Sequence, residues 1–235
     1  AMTVETKADL SGVVSGTAFP AGTAKVFSVV GSSGTSVPTA WSSPYIPNVA
    51  VNSGAGSALS FATPQYYPAN GNKVYFYAYS PVSGTYTAGS GSTAPKVKWT
   101  ITGGQDIMWA KVDNGIAKAV TGSQRQPAFA FTHLLQQVKF KVVKDASFED
   151  NIKLTSLKII GAKTVASLAL NTGTLSWETA TGELTVYNNT SGQAITGTAT
   201  SAGSAVMMEP GASFKVSSVG GCVHYGYGTL RLCCT

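Results

Sequence analysis

Hydrophobic and polar residues alternate with a period of two in short runs, each closed by Gly, Ser, Asn or Pro, and no segment keeps a helical period for three turns. Alternation of this kind places one side of each run in a core and the other toward water, which predicts an all-β chain. In the first half the runs fall at Lys25–Val30, Tyr45–Val51, Leu59–Ala62, Lys73–Tyr79, Lys96–Ile101 and Ile107–Val112. In the second they fall at Ile152–Ile160, Val165–Leu170, Leu175–Trp177, Glu183–Tyr187, Ala205–Met208 and Phe214–Val219. Spacings of about 8–12 residues suit a β-sandwich.

The run Lys73–Tyr79 is apolar or aromatic at both parities. Val74, Phe76 and Ala78 share one face and Tyr75, Tyr77 and Tyr79 the other, so this strand is expected to be central and covered on both sides. After a polar stretch from Asn114 to Pro127, Phe129 and Phe131 occupy one parity and Val138, Phe140 and Val142 the opposite one. A change of parity needs a bulge or a turn, and Thr132–Gln137 is the place for it. A domain boundary is expected just before, near Pro127, giving units 1–126 and 127–235. The Gly-, Ser- and Thr-rich segments Ala55–Ser57, Ser83–Ala94 and Thr196–Ser204 read as loops between strands.

Composition agrees with many short strands and turns: 26 glycines, 43% hydrophobic residues and only 11% charged ones in 235 residues. No run approaches the roughly 18 apolar residues that cross a bilayer as a helix. The first residues lack a basic segment followed by an apolar one, so a signal peptide is expected to have been removed ahead of them, and Ala1-Met2 reads as a cloning remnant. The net charge of +6 raises nucleic acid as a partner, but the basic residues are scattered. Lys139, Lys141, Lys144, Lys153, Lys158 and Lys163 read as the solvent side of strands, where lysine also discourages edge-to-edge aggregation. Cys222, Cys233 and Cys234 all lie in the tail, so the cores need no disulfide framework.

Signatures of catalysis are missing: there is no GxSxG, HExxH, Walker loop or CxxC. Of the two histidines, His133 reads as a hydrogen-bonded structural residue. The scattered carboxylates, Asp106 among them, read as turn and strand-end residues. Cys222, His224, Cys233 and Cys234 are a candidate zinc set, but adjacent cysteines seldom both ligate one structural zinc. Tyr66, Tyr67, Tyr75, Tyr77, Tyr79 and Trp109 are candidates for stacking on sugar rings, against the plainer reading of core packing. No enzyme and no cofactor are expected.

The stretch Gln65-Tyr66-Tyr67-Pro68-Ala69-Asn70-Gly71, followed by Val74-Tyr75-Phe76-Tyr77-Ala78-Tyr79-Ser80-Pro81, resembles the fimbrillin-like proteins of Bacteroidales, with their Tyr-Pro pair and a strand reading FYAYxP. Gln105-Asp106-Ile107-Met108-Trp109-Ala110 resembles the family's QDxMxA block, and Phe129-Ala130-Phe131-Thr132-His133-Leu134-Leu135 through Val138-Lys139-Phe140 its FxFxHxLxxVxF block. Thr6-Lys7-Ala8 and Gly16-Thr17-Ala18-Phe19-Pro20-Ala21-Gly22 resemble its basic processing site and the start of its mature domain.

The resemblance implies two transthyretin-like β-sandwich domains in tandem, export as a lipoprotein, and assembly into type V pili at the outer membrane. It implies that a protease cuts at Lys7, that the first strand leaves, and that the C-terminal strand of a neighbouring subunit fills the vacated groove. Other pilin subunits are then the partners, with a host or bacterial surface receptor beyond them, and the membrane enters only through a lipid anchor on the precursor. Val223, Tyr225, Tyr227 and Thr229 are the candidate donor face, weakened by Gly226 and Gly228. The alternative function is a surface glycan-binding β-sandwich module.

Overall fold

The computed structural model describes residues 19, 22–39, 41–55, 59–121, 127–147, 151–219, 222–224 and 231–233. They contain no α-helix. In the first half lie β1 (Phe27–Gly34), β2 (Ile46–Ser53), β3 (Leu59–Phe61), β4 (Lys73–Ser80), β5 (Thr85–Thr87), β6 (Lys96–Thr100) and β7 (Met108–Ile116). There follow β8 (Thr132–His133), β9 (Gln136–Val138), β10 (Lys141–Val142), β11 (Ile152–Lys163), β12 (Val165–Ala169), β13 (Thr174–Trp177), β14 (Thr181–Ile195), β15 (Thr200–Ser201), β16 (Val206–Met208), β17 (Lys215–Val219), β18 (Cys222–His224) and β19 (Arg231–Cys233).

The strands pair antiparallel. The largest sheet has six strands in the order β3-β2-β1-β4-β7-β8, a second has four in the order β13-β12-β6-β5, and a third is β14-β11-β17. Two-stranded ladders join β9 to β16, β10 to β15 and β18 to β19. Two ladders, β7 with β8 and β6 with β12, cross the boundary expected near Pro127. The parity change resolves as a transfer between sheets: Thr132 and His133 pair with β7, and three residues on, Gln136–Val138 pair with β16.

β4 is central in the six-stranded sheet and buried on both faces. Val74, Phe76 and Ala78 pack with Phe27, Val29, Ala110, Val112 and Ile116. Tyr75, Tyr77 and Tyr79 join a larger core that runs on through Trp99, Leu157, Leu168, Leu184 and Met207. On that side the four-stranded sheet and the segment between β1 and β2 cover the six-stranded one: Trp41 of that segment stacks on Tyr77 at 4.1 Å and Trp99 of β6 meets Tyr79 edge-on at 5.8 Å. Both indoles keep their N–H satisfied, Trp41 by the Pro38 carbonyl and Trp99 by that of Pro81, as buried indoles must.

Both flanks of the six-stranded sheet are short of partners among the described residues, β3 lying beside only Val51–Ser53 of β2. On the β2 side, Val29 faces Val49 but Gly31 faces Ile46, so two residues, Pro47 and Asn48, stand opposite Val30 alone. Pro47 has no N–H to offer, and Asn48 takes a left-handed φ of 51° while its Oδ1 accepts a 2.7 Å hydrogen bond from the buried Tyr79 hydroxyl. A bulge of this kind bends the strand and increases its local twist, and the ladder resumes beyond it at Gly31 and Ile46. On the β8 side, only two residues of β7 have a strand beside them.

Two segments expected to be loops hold short strands, β5 within Ser83–Ala94 and β15 within Thr196–Ser204. Each is made by its partner, β6 and β10 respectively, and carries too few apolar residues to alternate visibly.

Candidate functional site

β7 begins as a regular strand, with Ala78 opposite Ala110 and Phe76 opposite Val112, but the next pair is Val74 with Ile116. Asp113, Asn114 and Gly115 therefore bulge outward. Gly115 has φ 63°, and a Cβ there would lie 2.7 Å from the Tyr75 ring, so the bulge needs glycine for both conformation and space. On the outer side of β7, β8 pairs with Met108 and Trp109 only. From Ala110 to Ile116 no strand among the described residues adjoins that side, and a groove of about 850 Å³ runs beside it. Lys73, Lys111, Val112, Asp113, Lys118 and Ala128 are among the residues that line it.

The chain leaves this edge because the segment before β8 crosses the face of the sheet instead of continuing its ladder. Phe131 lies 5.0 Å from Phe27 and 5.3 Å from Phe19, and Phe129 lies 5.5 Å from Phe27 and 6.0 Å from Phe76. These rings, with Phe61 and Tyr67, are partly buried and cover the Phe76 side of the sheet. Residues 127–131 form no strand, so this strap is held by ring contacts, each worth about 0.5–1.5 kcal/mol beyond its area, and by its end at β8.

That end is fastened by a contact between two side chains. His133 Nδ1 stands 2.7 Å from Oδ2 of Asp106, whose side chain is 1% exposed against 35% for His133. Backbone bonding adds to it, since Leu134 N–H donates to the Ile107 carbonyl. Oδ1 of Asp106 is buried with no hydrogen-bond partner. Burial pushes the Asp106 carboxyl above its usual range, and the imidazole beside it pulls the other way. Asp106 is thus no turn residue in solvent; it joins the QDxMxA block to the FxFxHxL block. The period-two reading missed this because a lone Asp before an apolar run looks like a strand end. Two blocks each carrying one titratable residue were the available hint.

The other expected residues divide. Phe76 and Ala78 lie under the strap, Met108 and Ala110 on β7 are buried, and Leu135 joins the larger core. Tyr75, Tyr77 and Tyr79 are at most 6% exposed, Trp109 donates its N–H to the Leu170 carbonyl, and Tyr66 is 77% exposed. The proposed sugar-stacking set therefore forms no common platform, because β4 is central and turns its tyrosines inward. Tyr66, Tyr67 and Phe61 instead rim a dimple of about 30 Å³, water-sized. One carboxylate, Asp106, is set against His133. Lys158 bonds Glu183 and Lys163 bonds Glu209, so two lysines of the expected solvent face are in ion pairs.

Lys7, Tyr225, Tyr227, Thr229 and Cys234 lie outside the described residues, as does much of the segment expected to leave. In the tail, Cys222 faces Cys233, Val223 faces Leu232 and His224 faces Arg231, so the described part of the candidate donor strand pairs within its own hairpin.

A fimbrillin-like family model matches residues 13–218. The chain belongs to the fimbrillin-like family. Two crystal structures resemble this fimbrillin-like chain. One, titled as a cell adhesion protein from Bacteroides uniformis, is 19% identical with a TM-score of 0.56 over 84% of this chain and 74% of that one. The other, titled as a fimbrial protein from Bacteroides vulgatus, is 15% identical with a TM-score of 0.55 over 78% and 70%. At such identities the likeness speaks for the shared all-β fold. No curated protein matches the chain.

Proposed function

We propose that this fimbrillin-like chain is a structural subunit of a bacterial surface pilus and that it joins its neighbours by accepting a strand along the outer side of β7. The observation that carries this reading is the stretch Ala110–Ile116, which no strand among the described residues adjoins on its outer side, beside an open groove. Unpaired N–H and C=O groups next to apolar side chains are what strand addition needs: the guest supplies the missing backbone partners and buries its alternate residues. Membership in the fimbrillin-like family and the titles of the two similar structures support the pilus role.

In this reading cleavage at Lys7 frees the first strand, the subunit is exported as a lipoprotein and displayed at the outer membrane, and its chemistry is assembly and adhesion without a catalytic step. The experiment is brief trypsin digestion of the full chain, with N-terminal sequencing and a denaturing gel run without boiling. A cut after Lys7 followed by a ladder of denaturant-resistant oligomers is expected, with Lys7→Ala giving neither. Complete cleavage at Lys7 that leaves only monomer would overturn polymerisation by strand exchange.

A further inference from the structure

The groove beside β7 has a sign. Lys73, Lys111 and Lys118 line it against one carboxylate, Asp113, which Lys111 already holds at 2.7 Å. Lys73 and Lys118 are exposed and take part in none of the ion pairs among the described residues.

The groove also has a parity. Ala110, Val112 and Ile116 point into the apolar core under the strap. Lys111 lies opposite Tyr77, and Lys73 shares the parity of Tyr75 and Tyr77 on the other face of the sheet. Side chains of a strand laid against β7 alternate between these two faces. One parity would meet the apolar margin at Val112 and Ile116, and the other the ammonium groups.

We infer that the strand this edge accepts alternates apolar residues with carboxylates, and that residues 220–235 of a second copy are not that strand. The second half follows from composition. Residues 220–235 contain Arg231 and no Asp or Glu, so the tail of a second copy would bring a cation to a cationic groove. Opposite charges set across a strand pair favour pairing and like charges oppose it. Such a groove therefore selects among donor strands whose backbones are all equally able to pair, which is specificity gained by repelling the wrong partner. This inference rests on the reading of β7 as the strand-accepting edge.

The test uses three fluorescent peptides and the full chain, before and after cleavage at Lys7, at low salt: one alternating Val with Glu, one alternating Val with Lys, and one with the sequence of residues 220–235. Anisotropy gives affinity, and amide hydrogen exchange gives location. The acidic peptide is expected to bind, to protect Ala110–Ile116 from exchange, and to bind about tenfold more weakly to the Lys73→Glu, Lys118→Glu double variant, since two exposed ion pairs contribute a few-fold each. That variant, both of whose sites are exposed, should gain affinity for the basic peptide. Protection of β7 by acidic and basic peptides at equal affinity would overturn the charge selection and leave the accepting edge in place. Binding of the tail peptide as tight as that of the acidic one would overturn the exclusion of residues 220–235. No protection of β7 by any peptide would overturn the inference together with the reading beneath it.

Discussion

The two faces of the six-stranded sheet are sealed in different ways. The Tyr75-Tyr77-Tyr79 side lies under a second sheet, and apart from Trp41 the rings that meet it, Trp99 foremost, are fixed by ladders. The Phe76 side lies under a strap whose rings pack well but whose backbone, over residues 127–131, belongs to no strand. Similar apolar chemistry is thus expected to give one seal that opens only with the whole fold and another that opens locally. Local opening free energies follow the hydrogen-bonded framework as much as the buried area.

The sharpest way to break this comparison is to remove one large ring from each seal. Trp99→Ala is expected to cost about 3–5 kcal/mol in urea unfolding, the range for a fully buried aromatic, and to raise amide exchange across both sheets. Phe131→Ala should cost about 2 kcal/mol, because the ring is only partly buried, yet should speed exchange and raise hydrophobic-dye binding at the strap alone. Equal global losses, or exchange changes of equal reach, would erase the distinction between the seals.

A second test concerns the fastening of the strap. Asp106 has a carboxyl pKa raised by burial, so the folded chain holds that proton more tightly than the unfolded one. Stability then falls as pH rises from the ordinary carboxylate range, near 4, through the raised folded value. Asp106→Asn keeps an acceptor for the His133 Nδ1–H and removes the titration. Its stability relative to the parent is expected to increase over that window and to level off above it, read from urea midpoints across pH. A constant difference at every pH would mean that the burial of the charge is not felt.

The smallest effect is expected on the sheet-covered side. Tyr79→Phe removes the hydrogen bond to Asn48 Oδ1, worth about 1 kcal/mol, and leaves a left-handed Asn without its anchor. Chemical denaturation measures the loss, and exchange at Val49–Val51 shows whether the bulge of β2 relaxes.

Much of this architecture was legible in the alternation of residues. Lys73–Tyr79 carries apolar side chains at both parities, and the strand is buried on both faces as that pattern demands. The parity change between Phe131 and Val138 marked the place where the chain passes from one sheet to another. Family blocks around Phe76, Met108 and Phe131 turned out to surround one face of one sheet. What stayed hidden depends on which strands meet. β5, with only Tyr86 between two threonines, is a strand because β6 adjoins it, and the pairing of β6 with β12 joins residues far apart in sequence. Asp106 was misread because its burial comes from the surrounding fold, not from its neighbours in the chain. The side of β7 that no described strand adjoins was equally invisible, since pairing is decided by other segments and leaves no mark on β7 itself.

The side of β7 that no described strand adjoins bears on symmetry. Two copies of one bare edge can meet as equals about a twofold axis, and such a contact closes a dimer and stops there. The lysines beside β7 would face their own images across that axis and oppose it. A fibre grows only if each subunit takes through this edge and gives through another element.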